Sequence, residues 1–216
     1  MRKISIKNKK LIKTLNTFSD NILNSPIEVF DNLPCDTIVK YDSTDCEKFC
    51  SYDYLNERRS KPVMETAFPL HAYGFDMNVS PKRVTPDGWE ETKKILDDGV
   101  MDSIGVGFSA LKMYYPITGF IAWHNNCNCP GQNLLMTYSK YGNGYFEYLD
   151  LLSDKIIRIE DLPGWTAKVG YYGSDKEPDK IMWHCAKTYE PRLTVSYVIR
   201  DQSMWEEMVQ DIQSFQ

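Results

Sequence analysis

From about residue 105 onward the chain is a succession of short aromatic or β-branched runs separated by turn residues, and this limits its fold more than any other feature. The runs are Phe108 to Tyr115, Phe120 to His124, Leu134 to Tyr138, Tyr145 to Tyr148, Lys155 to Ile159, Thr166 to Tyr172, Lys180 to His184 and Leu193 to Arg200. Side chains of this kind fit a pleated, partly buried surface. Eight such runs at close, even spacing predict an antiparallel sandwich or jelly roll. Tyr141-Gly142-Asn143-Gly144 reads as a hairpin turn, because Asn-Gly tolerates positive φ.

The preceding segment is mixed. Leu11 to Leu23 reads as a helix, Ile27 to Phe30 and Thr37 to Tyr41 as short strands, and Cys46 to Arg59 as loop or helix. A further helix follows Thr85-Pro86-Asp87, with lysines late (Lys93, Lys94) and Gly99 as a stop after Leu96. Ser203-Met204-Trp205-Glu206 has the form of a capping box opening a last helix to Ser214. The expected fold is mainly β with flanking helices: a double-stranded β-helix (jelly-roll) core over 105–200, a mixed part over 1–104 buttressing it, and a C-terminal helix over 201–216. A chain of 216 residues is long enough for one domain with a substantial core.

Charge narrows the partners. The net charge is −5, although Met1 to Thr14 carries Arg2, Lys3, Lys7, Lys9, Lys10 and Lys13 and no acid. The rest is therefore acidic, which argues against broad duplex binding. The basic start reads as a solvated face. No apolar run approaches the roughly 18 residues of a membrane span, and no apolar stretch of signal-peptide form follows the basic residues. A cytoplasmic location is expected. The six cysteines, Cys35, Cys46, Cys50, Cys127, Cys129 and Cys185, are then expected to be reduced.

Two of the three histidines have near-duplicate settings, Trp123-His124 and Trp183-His184, each at the end of an apolar run. Histidine is the commonest protein ligand for a metal. Beyond His184 comes Arg192-Leu193-Thr194-Val195-Ser196. On a strand, Arg192, Thr194 and Ser196 share one face. A guanidinium flanked by hydroxyls suits a carboxylate, and it equally suits the wet side of a sheet.

Taken in order, Tyr114-Tyr115-Pro116, Gly119-Phe120-Ile121-Ala122-Trp123-His124-x-Asn126, His184 and Arg192 to Tyr197 resemble the 2-oxoglutarate- and Fe(II)-dependent oxygenases of the prolyl-hydroxylase-like branch, over roughly residues 107–200. The resemblance implies a hydroxylase that uses 2-oxoglutarate and O2 and acts on a protein side chain or a small molecule. It implies His124 and His184 as iron ligands with Asn126 in the third motif position. It also implies Arg192 and Thr194 on the distal carboxylate of 2-oxoglutarate, with Tyr115 and Tyr138 lining the same pocket.

The family pattern has an acid where Asn126 stands. Either the site is a variant with weaker iron binding, or the domain keeps the fold as a non-catalytic binding module. Asp150 and Glu147 are the acids that an adjacent strand could bring in. A third reading is tetrahedral zinc drawn from His124, Cys127, Cys129, His184 and Cys185. There is no phosphate-binding loop, dinucleotide-binding glycine cluster or nucleophile elbow. His71 reads as structural.

Overall fold

The computed structural model describes residues 1–24, 41–61, 68–74, 89–107 and 109–215. Two antiparallel sheets face each other. The strands are β1 (Arg2–Ile4), β2 (Leu70–His71), β3 (Tyr73–Gly74), β4 (Ser109–Tyr115), β5 (Phe120–His124), β6 (Gly131–Ser139), β7 (Gly144–Asp150), β8 (Lys155–Glu160), β9 (Gly164–Tyr172), β10 (His184–Thr188) and β11 (Arg192–Ile199). The larger sheet has the order β1-β9-β6-β11-β4-β3, and the smaller has β2-β5-β10-β7-β8. From β4 onward, successive strands alternate between the sheets, except that β7 and β8 are neighbours in the smaller one, which is the winding of a jelly roll. The expected architecture is the observed one: mainly β, with helices outside.

The helices are α1 (Lys9–Leu23), α2 (Ser43–Phe49), α3 (Tyr52–Arg59), α4 (Trp89–Ile104) and α5 (Gln202–Gln213). None is long and apolar enough to cross a membrane. Three apolar layers follow from the alternation of side chains along the strands. Leu11, Leu15, Phe18, Leu96, Val100, Trp205 and Met208 cover the outer face of the larger sheet, against Leu134, Met136, Leu193, Val195 and Tyr197. Cys46, Cys50 and Leu55 cover the outer face of the smaller sheet, against Phe120, Ala122, Trp123, Trp183 and Cys185. Between the sheets lie Met113, Tyr115, Ile121, Leu135, Phe146, Ile159 and Ala186. With both faces covered, every residue of β10 and β11 is buried. Arg192, Thr194 and Ser196 therefore lie inside, and the reading of that face as the wet side of the sheet is overturned.

Four local expectations are corrected. Gly99 does not stop a helix. It lies within α4, which runs to Ile104 and ends at Gly105 with φ +69°. Its missing side chain lets α4 approach α1: a Cβ there would lie 2.4 Å from Thr14 Oγ1 and 2.5 Å from Cγ2. The run Lys180 to His184 is not a strand. Pro178–Lys180 is a single 3₁₀ turn, and His184 opens β10 instead of closing a strand. The Tyr141–Gly144 turn joins β6 and β7, which belong to different sheets, so it makes a crossover between layers and not a hairpin. The last helix is capped by Asp201, whose carboxylate accepts from the Met204 N–H at 2.9 Å, while Ser203 donates to that carboxylate. The strands expected at Ile27 to Phe30 and Thr37 to Tyr41 (Tyr41 excepted), the Thr85-Pro86-Asp87 start and Cys35 fall outside the described residues.

Gly99→Ala tests the helix contact. Alanine normally favours a helix interior by about 1 kcal/mol, but overpacking here is expected to reverse the sign and cost about 1–3 kcal/mol in urea denaturation. In a Thr14→Ala background the cost should shrink or turn into a gain. A stabilised single variant would show that the close approach is absent.

Candidate functional site

The two histidines meet because of an irregularity in β5. His184 pairs with His124 and Ala186 pairs with Ile121, so two steps along β10 match three along β5. The extra residue is a β-bulge. Without it, alternation from the inward Ile121 would turn Trp123 inward and His124 outward. With it, Trp123 packs outside, its indole N–H donating to the Cys50 carbonyl at 3.0 Å, and His124 faces the interior cavity together with His184. Their ring centroids are 4.1 Å apart.

Each ring is held by the backbone carbonyl two residues before it. His124 Nδ1 lies 2.8 Å from the Ala122 carbonyl and His184 Nδ1 lies 2.9 Å from the Met182 carbonyl. A carbonyl can only accept, so Nδ1 carries the proton and Nε2 keeps the lone pair. Aromatic rings surround the pair. Phe68 stacks on His124 at 4.2 Å, while Phe146 and Tyr172 lie 5.5 and 5.0 Å from His184. Burial in this box pushes His184 down to about 4. It pushes His124 well below its ordinary value, with the neighbouring His184 adding to the effect. Both imidazoles are neutral lone-pair donors at physiological pH.

The cavity, of about 350 Å³, is lined by residues of both sheets and includes Asn126, Tyr115, Arg192 and Thr194. Arg192 is 1% exposed and stands over the Tyr115 ring at 5.2 Å. Its Nη1 donates to Thr194 Oγ1 at 2.8 Å and its Nε to Asp161 Oδ2 at 2.7 Å. Lys168 of β9 reaches the other Asp161 oxygen at 3.5 Å. Burial alone would raise the Asp161 carboxyl, but Arg192, and then Lys168, hold it below the usual carboxylate range. Burial pushes Lys168 down to about 8 against the pull of Asp161. Gly144 makes room for this cluster, since a Cβ there would lie 2.7 Å from Asp161 Oδ2.

The structure thus brings His124, Asn126, His184, Arg192, Thr194 and Tyr115 to one cavity. Tyr138 is not among them. It pairs with Leu193 on the outward side of the larger sheet and packs on Trp165 at 5.6 Å, and its neighbour Thr137 faces Arg192 instead. Neither acid expected to substitute for Asn126 does so. Glu147 faces outward to Arg158 and Cys185, and Asp150 holds the turn at Ser153. Among the described residues no group of three or more His, Cys, Asp and Glu is arranged to hold a metal. The zinc reading fails on the same geometry: Cys185 lies on the outer face with Cys46 and Cys50, and His124, His184, Cys127 and Cys129 do not converge as a set of ligands.

Asp161 and Lys168 escape a reading by motif. Asp161 lies in the turn after β8, and Lys168 is one lysine among many on a strand. Alternation along β9 and β11 offers a signal only once the strand order is known.

No family model matches the chain, and no curated protein matches it. Solved structures with some likeness include a Pseudomonas putida prolyl-4-hydroxylase (12% identity, 74% of this chain and 89% of that one, TM-score 0.35). Others are a rice dioxygenase for auxin oxidation (13%, 83% and 72%, 0.33) and the viral collagen prolyl hydroxylase of Paramecium bursaria Chlorella virus-1 (11%, 74% and 92%, 0.32). At these identities and scores the likeness adds nothing to what the strand order and the cavity already show.

The neutral histidines make stability depend on pH. The unfolded chain takes up a proton at His184 near pH 6.5 and the folded protein only near 4, so the unfolded state binds more protons in that window. Stability should fall as the pH drops through it, by roughly 3 kcal/mol from His184, with His124 acting in the same direction. Urea denaturation of the metal-free protein between pH 7 and 4.5, compared with His184→Gln, measures this. Equal slopes for the two proteins would show that His184 is not held neutral.

Proposed function

We propose that the cavity binds Fe(II) and 2-oxoglutarate, and that the chain is an oxygenase hydroxylating a protein side chain or a small molecule. The observation that carries this reading is the paired imidazoles. Two neutral rings of fixed tautomer, on neighbouring strands, share a largely apolar cavity with a buried cationic wall.

The donor set fits a divalent transition metal, with one qualification of charge. His124 and His184 would each offer Nε2, and Asn126 lines the same cavity and would offer its amide oxygen. All three donors are neutral, so the protein itself cancels none of the metal's charge. Arg192 and Thr194 would hold the far carboxylate of the oxo acid, with Tyr115 beneath the guanidinium. Phe68, Phe146 and Tyr172 would exclude water from the histidine end. Iron bound with 2-oxoglutarate and O2 would supply C–H oxidation coupled to decarboxylation to succinate. What the chain contributes is orientation, dryness and lone pairs held ready at neutral pH.

Asn126 itself favours a second reading, in which the cavity binds an acidic ligand without turnover. Anaerobic Fe(II) titration in the presence of 2-oxoglutarate separates the two. The oxygenase reading expects a weak visible charge-transfer band, lost in His184→Ala, and iron-dependent succinate formation in air. Oxo-acid binding without a band or succinate at any iron loading would leave the binding module. Asn126→Asp should tighten Fe(II) binding by about tenfold or more, since it adds a formal negative charge to the donor set. Unchanged affinity would place residue 126 away from the metal.

A further inference from the structure

Arg192 is the residue that a carboxylate ligand would be expected to use, yet its charge is already answered inside the protein. Nε donates to Asp161 Oδ2 at 2.7 Å and Nη2 lies 3.5 Å from Oδ1. The side chains of both partners are buried, 1% and 0% exposed. If these two were alone, the cationic wall of the cavity would be neutral overall, and an incoming carboxylate would meet no net charge.

Lys168 changes the count. Its side chain is 1% exposed, and its ammonium lies 3.5 Å from Asp161 Oδ1. It also lies 3.4 Å from Thr137 Oγ1, the hydroxyl that Arg192 Nη2 approaches at 3.5 Å. Among the described residues Asp161 is the only carboxylate paired with either cation. Two buried cations share one buried anion, so the cluster carries one surplus positive charge. A buried charge without a counter-ion is strongly disfavoured, and this cluster adjoins a cavity that Arg192 and Thr194 line. Lys168, Asp161 and Thr137 stand behind that wall and do not line it.

We propose that Lys168, acting through Asp161, is the positioning residue that gives the acid-binding end of the cavity its single net positive charge and so matches it to one carboxylate. This rests on the reading of the cavity as an oxo-acid site and deepens it. Asp161 orients the Arg192 fork and cancels its charge, and Lys168 restores one unit without entering the cavity. The groups facing Lys168 are Asp161 in the β8–β9 turn, Thr137 of β6, Arg192 of β11 and Lys3 of β1. Burial, with the neighbouring Arg192 adding to it, lowers the proton affinity of Lys168 against the pull of Asp161.

Counting charge gives the test. The cluster is +1 in the natural protein, 0 in Lys168→Met, and +1 again in Asp161→Asn/Lys168→Met. Calorimetric titration of 2-oxoglutarate, with and without Mn(II), is expected to give a Kd raised about tenfold or more in Lys168→Met. The double variant should bind several-fold more tightly than Lys168→Met, because it regains the unit of charge although it loses the carboxylate that orients Arg192, and Lys168→Arg should stay near the natural value. The natural protein should also lose affinity as the pH rises past about 8, and the double variant should not. Circular dichroism checks folding, and if Lys168→Met fails to fold, the double variant and the pH profile still decide. Natural-strength binding in a folded Lys168→Met would overturn the assignment while leaving the oxo-acid reading intact. A pH profile unchanged in the double variant would also overturn it. No 2-oxoglutarate binding by the natural protein under any condition would overturn both.

Discussion

The contact between Asp161 and Arg192 governs more of this molecule than any other. Asp161 follows β8 in the smaller sheet, and Arg192 opens β11 in the larger. Their bond therefore clamps the two layers together where Glu190 also gathers the Ser139 hydroxyl and the Tyr141 and Asn143 N–H groups. It orients the guanidinium, requires glycine at position 144, and sets what charge remains for a ligand. Buried ion pairs contribute little net stability compared with well-packed apolar groups. This one is better understood as fixing geometry and electrostatics at one end of a cavity.

At the other end the logic is the reverse, with charge withheld. Two imidazoles, an amide and a box of aromatic rings make a donor set with no formal charge. A divalent metal held by such a set would depend on its other ligands for neutralisation. A dianionic oxo acid would bring one carboxylate toward the cationic wall and leave the other near the histidines, so metal and acid would each favour the other's binding. The asymmetry between a charged end and a neutral end would give an extended, two-headed acid one orientation.

Much of the architecture was legible in the sequence. Seven of the eight core strands fall close to their runs, because alternating apolar positions between turn residues dictate strands whatever lies around them. The errors have a common cause. Tyr138 was assigned to the wrong face because facing depends on register, and register is set by neighbours distant in the chain. Gly99 looked like a helix stop because the helix it approaches begins about ninety residues earlier. Lys180 to His184 was misplaced because Pro178 starts a turn that delays the strand. For the site, the histidines and Arg192 announce themselves by composition. Asp161 and Lys168 matter only through where β8, β9 and β11 come together.

The bulge in β5 has a consequence of another kind. Along a regular strand, the side that a residue serves is decided by parity, and substitution leaves parity untouched. Here the odd step count would turn His124 outward, and it reaches the interior because the bulge absorbs the extra residue. Loss of a single residue between Ile121 and His124 would leave two steps on each strand, so the bulge would vanish while the imidazole still faced inward opposite His184. The site is therefore most exposed to changes that straighten β5 at its present length, because those, and not loss of the extra residue, reverse the side on which the imidazole lies.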